Sequence, residues 1–273
     1  MARIIYFAAV ALASVQASEQ KCEGVTIKGV IYEKETLKTD LDSPYQFSID
    51  YNTDTIFFSY STHTKDQRFQ LAYLNLKTKE FNTITTITDG FASAVDLENN
   101  KLFLGGKGGI YDFNLKSKQT SHLGASSHNI WQMFYKDGLY YTVYPHEEAY
   151  TFNDGISKKV TELSGTKVML IAMDRNNNIY FTNSSGLFNY NKSNKKIINL
   201  GEHVINGLNT DINGKLFFSS PNGIYSINEN LNIVEHIVTL ESVFSVAIAK
   251  DGSIIYGTDD SIMRLKKSDK CQL

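Results

Sequence analysis

LFLGGKGGIYDFN (Leu102 to Asn114), IYFTNSSGLFNYN (Ile179 to Asn191) and LFFSSPNGIYSIN (Leu216 to Asn228) are three stretches of equal length with one pattern. An aromatic-rich strand is followed by a small-residue turn, then by Gly-Ile-Tyr or Gly-Leu-Phe leading into Asn. The alternation of apolar and polar side chains has the period of a half-buried strand. The glycine ahead of the second run supplies the positive φ that tight hairpins need. A weaker copy of that run, DSIMRL, occupies Asp260 to Leu265.

Working outward, the aromatic strands recur along the whole chain, beginning at Ile56, Leu102, Leu139, Ile179, Leu216 and Ile254, with spacings of 46, 37, 40, 37 and 38 residues. An apolar strand ending in or near Asp precedes each, across turns such as ENNK, RNNN, DING and AKDG. Units of about 40 residues built only of short strands are propeller blades, because one four-stranded sheet cannot bury both of its faces alone. The expectation is an all-β, six-bladed β-propeller over residues 18–273, each blade four-stranded. Repeat six supplies only three strands, so the segment 24–39, with its VTIKGVIY, is expected to complete it and close the ring.

The N-terminus reads as a secretory signal peptide over residues 1–17: a basic start at Arg3, an apolar run from Ile4 to Val15 too short to span a bilayer, and a small-residue cleavage site ending at Ala17. Its removal leaves one basic residue fewer than the 27, against 29 acidic, a net charge of −3 with no basic stripe for nucleic acid. The two cysteines, Cys22 and Cys271, stand near the two ends of the mature chain, where an oxidising compartment would let them pair and staple the ring. Sequons at Asn183 and Asn191 fall at hairpin ends and are candidate glycosylation sites. A secreted, extracellular monomer is expected.

Function has to be read from the mouth of the channel. Counting back from the second strands, the residues entering the innermost strands are Tyr45, Phe91, Asn129, Met169, Asn206 and Phe244. Two residues deeper come Phe47, Ser93, Trp131, Ile171, Leu208 and Val246. Lys167 lies just before Met169, placed to meet an acidic group. This ring carries stacking surfaces and amides, the make-up of a site for a flat conjugated ligand, although aromatics also wedge neighbouring blades together. It holds no carboxylate, whereas a hydrolytic calcium site needs hard oxygen donors. Asp50, Asp96, Asp174 and Asp211 end the innermost strands at the opposite rim and read as turn-stabilising. The six histidines show no metal-ligand spacing, and no nucleophile elbow or phosphate loop is present. No catalytic residue, metal or cofactor is expected.

Several runs together, SPYQFSIDYNTDTIFFSYS (Ser43 to Ser61), DGFASAVD (Asp89 to Asp96), GGIYDFN, NIWQMFYKDGLYYT (Asn129 to Thr142) and IYFTNSSGLF (Ile179 to Phe188), resemble the ommochrome-binding proteins of moths and butterflies. The resemblance implies a haemolymph protein that binds tryptophan-derived phenoxazinone pigments such as ommatin D without catalysis. It supplies no ligand-contact motif, so the contacts above rest on strand counting. Two other classes stay open: a calcium-dependent lactonase related to gluconolactonase, and a scaffold that binds proteins at its rim.

Overall fold

A computed structural model describes residues 24–65 and 67–269, which form six antiparallel sheets arranged as the blades of a propeller. Five blades are four-stranded and run consecutively: 42–84, 90–124, 130–159, 170–201 and 207–239. The second strand of every blade begins at the residue counted from the sequence or one before it, as in Thr55–Ser61 and Lys101–Gly106. One 3-10 turn, Thr161–Leu163, is the sole helical element among the described residues, and no helix among them is long and apolar enough to cross a membrane. The signal segment 1–17, Cys22 and Cys271 lie outside the described residues.

Blade 6 corrects the expected strand count. Its sheet runs Ser245–Ile248, Ile254–Gly257, Ile262–Lys267, Val30–Lys38, Val25–Ile27, five strands rather than four. The segment read as one strand turns back on itself at Lys28 and Gly29, with φ of 48° and 79°. Two successive positive φ values are the geometry of a two-residue hairpin loop. The longer of its strands pairs with the last strand of the chain, from Tyr32 opposite Lys267 to Lys38 opposite Ile262. Arg264 and Glu35 face each other across this seam, Nε to Oε2 at 2.8 Å, and Lys79 of blade 1 reaches the other carboxylate oxygen at 2.7 Å. Burial raises the Glu35 pKa, but Lys79 and Arg264 outweigh it and hold the group below its ordinary value.

Repetition in sequence becomes repetition in local chemistry. Asn75, Asn114 and Asn191 end their third strands, and each Oδ1 accepts backbone N–H bonds two and three residues on, closing the next hairpin. Asp50, Asp96, Asp174 and Asp211 play the matching part after the first strands, each Oδ1 accepting a backbone N–H two or three residues on. They are turn-stabilising, as expected. Beside the fully enclosed Asp174, Asp96 is 2% exposed. Burial pushes its pKa up, but hydrogen bonds from Asn99 and Tyr135 prevail and hold it below the usual carboxylate range.

The aromatic second strands supply the wedges between sheets. Phe58, Tyr141, Tyr180 and Phe218 are fully enclosed, each in an apolar cluster that joins adjacent blades. Burial of such a side chain contributes roughly 1.5–3 kcal/mol. These seams hold the six inner strands around one channel, and their first residues meet at one mouth.

Candidate functional site

The inner strands enter the mouth through β-bulges, which decide what points into the channel. In blade 2, Gly90 pairs with Gly106 and Ala92 with Gly105, leaving Phe91 unopposed. In blade 3, Ile130 pairs with Val143 and Gln132 with Thr142, leaving Trp131 unopposed. A bulge re-aims its extra residue, and these two meet with ring centroids 4.4 Å apart and planes 28° apart. Strand counting puts Asn129 in the ring and Trp131 one layer deeper. The pairing register instead makes Trp131 the counterpart of Phe91. Asn129 falls outside the pocket wall, its carbonyl accepting from the Tyr144 N–H at 3.0 Å.

The stack is part of a longer aromatic run. Phe244 meets Tyr45 edge-on at 5.4 Å, Tyr45 meets Phe91 at 5.7 Å, and Trp131 continues to Tyr144 at 5.1 Å. Phe69 packs on Phe91 at 4.4 Å. Phe69 and Tyr144 lie beyond the reach of counting along the innermost strands alone. In an antiparallel blade the third strand starts, and the second strand ends, at the same mouth as the first strand begins. Phe69 opens the third strand Phe69–Asn75, and Tyr144 follows the second strand Leu139–Val143, so the signal was present one and two strands further out.

Tyr45, Phe69, Phe91, Trp131, Met169 and Asn206 wall a pocket of about 220 Å³ with Gln46, Leu170 and Ile205. Asn206 donates from Nδ2 to the Val243 carbonyl at 2.7 Å, tying blade 5 to blade 6. Phe244 supports the pocket through Tyr45 without lining it. Lys167 is exposed and outside the wall, and its ammonium donates to the His146 carbonyl at 2.9 Å. Asn183 and Asn191 sit half-buried at hairpin turns, with Asn183 Nδ2 donating to the Lys167 carbonyl.

Below this mouth lies a larger cavity of about 420 Å³, which runs through the channel to the opposite rim. Phe47, Ser93, Leu208 and Val246 from the deeper layer do line it. Polar side chains cross-link its walls: Gln132 exchanges bonds with both N–H and carbonyl of Ile171 at 3.1 Å, and Asn209 reaches the Phe47 carbonyl at 2.8 Å. Ser48 and Ser93 meet at 2.6 Å. Among the described residues no three His, Cys, Asp or Glu side chains converge in a metal-holding group. His128 bonds the Tyr141 hydroxyl through Nδ1 at 2.7 Å, and burial lowers its pKa.

No family model matches the chain. It is 38% identical over 253 residues to a protein of Manduca sexta described as an ommochrome-binding protein, covering 90% of this chain and 92% of that one. Among solved structures it resembles a gluconolactonase from Xanthomonas campestris, with a TM-score of 0.68, 12% identity, and coverage of 91% and 96%. A luciferin-regenerating enzyme gives a TM-score of 0.65 at 10% identity, with coverage of 89% and 97%. At those identities the structural likeness speaks for the propeller alone.

Proposed function

The chain belongs to the ommochrome-binding protein family, and on that premise we propose that it is a secreted, non-enzymatic carrier that holds a planar phenoxazinone pigment at its aromatic mouth. The observation that carries this reading is the stack of buried Phe91 on half-buried Trp131 in the wall of the 220 Å³ pocket. Aromatic faces bind conjugated rings by offset stacking, and a few amides fix orientation. Asn206 and Gln46 are the amides on this wall. The calcium-lactonase alternative would require hard oxygen donors, and the wall is built of Tyr45, Phe69, Phe91, Trp131 and Met169 around those two amides. Lys167, at the rim, is available to an acidic substituent that replaces its bond to the His146 carbonyl.

Trp131 is the sole tryptophan, so titration with an aminophenoxazinone should quench the protein's indole emission. Phe91→Leu keeps most of the volume and removes the π face, and it should weaken binding by ~1–3 kcal/mol. Lys167→Ala should weaken a carboxylated or sulfated pigment more than a neutral one. Wild-type affinity in both Phe91→Leu and Trp131→Phe would place the ligand elsewhere.

A further inference from the structure

Among the described residues, Gln46 is the one residue shared by the walls of both cavities, the aromatic pocket above and the channel below. Its backbone departs from the extended conformation of its strand, as does that of Ser43. Tyr45 pairs with Ser59 and Ser48 with Phe57, so Gln46 and Phe47 together oppose one residue, and Gln46 has φ of 53°. The left-handed region is disfavoured for a long side chain that cannot bond its own backbone as Asn or Asp does. Glycine there would relieve the strain. Strain held by the surrounding structure clusters at ligand sites, and here it accompanies a bulge that turns the side chain toward the channel. The Gln46 side-chain amide has no hydrogen-bond partner among the described residues. Gln132 and Asn209, the other channel amides on inner strands, bind backbone carbonyls.

We infer that Gln46 is the residue that orients the ligand, its amide meeting the polar edge of the ring system at the junction of the two cavities. This rests on the pigment-binding reading of the aromatic mouth. A carboxamide offers a donor and an acceptor in one plane, which fits a conjugated ring bearing a carbonyl beside an amine or ring nitrogen. The upper pocket, about 220 Å³, is below the usual range of roughly 300–1,000 Å³ for small-molecule sites. A three-ring ligand stacked on Phe91 and Trp131 therefore extends past Gln46 toward the channel, carrying its polar edge to the amide.

The test compares wild type, Gln46→Leu, Gln46→Gly and Phe91→Leu, each titrated with an aminophenoxazinone and with phenoxazine, which lacks the ring carbonyl. Gln46→Leu and Gln46→Gly should each weaken the aminophenoxazinone about 5- to 30-fold, the size of one lost hydrogen bond, and change phenoxazine by less than about 2-fold. Phe91→Leu should weaken both. Gln46→Gly should also raise the melting temperature, since it removes the strained φ while losing the amide. If Phe91→Leu weakens both ligands and the Gln46 variants match wild type, or weaken both ligands equally, the orienting role is wrong and the site reading stands. If Phe91→Leu also matches wild type, or the wild type binds neither ligand, the site reading fails and this inference with it.

Discussion

Gly105→Ala tests the packing that sets the aromatic mouth. A methyl group at this position would stand 2.6 Å from Ile130 Cγ2 and 2.8 Å from Met133 Sδ. Carbon contacts are most favourable at about 3.5–4.0 Å, so one of the two blades has to shift. Neither neighbour can swing into solvent, being 1% and 4% exposed. Gly105 is not among the residues with positive φ, so the cost is steric and not a matter of backbone conformation. Overpacking of this kind costs ~1–3 kcal/mol. For a domain of this length each kcal/mol lowers the melting temperature by about 2–4 °C, which predicts a fall of roughly 2–12 °C. Ile130 precedes Trp131 in the chain, so displacing it should disturb the 4.4 Å stack and alter the indole emission. Calorimetry with emission spectra reads both effects, and Lys107→Ala, exposed in the same hairpin, should stay within about 0.5 kcal/mol of wild type. Melting of Gly105→Ala within about 1 °C of wild type, with unchanged emission, would refute the close approach of blades 2 and 3.

The closing seam should be acid-sensitive. Because Glu35 has a lowered folded pKa, the native state binds fewer protons than the unfolded chain, so this stabilisation is present above the ordinary value of 4.5 and is lost as pH falls through the folded value. Glu35→Gln should therefore melt below wild type near neutral pH and converge with it in strong acid; a gap of equal size at both ends would count against the pair. Cys22 and Cys271 are expected to be joined, so the unfolded, unreduced protein should titrate no thiol and reduction should lower its melting temperature. Two free thiols would end that idea.

How much of this was legible in the sequence follows from the range of the interactions involved. Strand alternation, hairpin glycines and the Asn and Asp turns act over a few residues and repeat, so LFFSSPNGIYSIN at Leu216 to Asn228 announces its own two strands, and six such units leave a closed ring as the way to bury them. The hairpin at Lys28 and Gly29 is not legible in VTIKGVIY, which carries strand character on both sides of its turn, and only pairing with Ile262–Lys267 separates the two halves. Within the site, Tyr45, Phe91, Met169 and Asn206 were reachable by counting because they sit at fixed offsets from a local signal. The same counting sets Trp131 a layer too deep and does not reach Gln46. Their positions depend on bulges, which are mismatches between one strand and its neighbour and leave no mark on either strand alone. Tertiary structure therefore decided which aromatic rings stack, which amide among the described residues is left without a partner, and that the aromatic pocket and the channel cavity meet at Gln46.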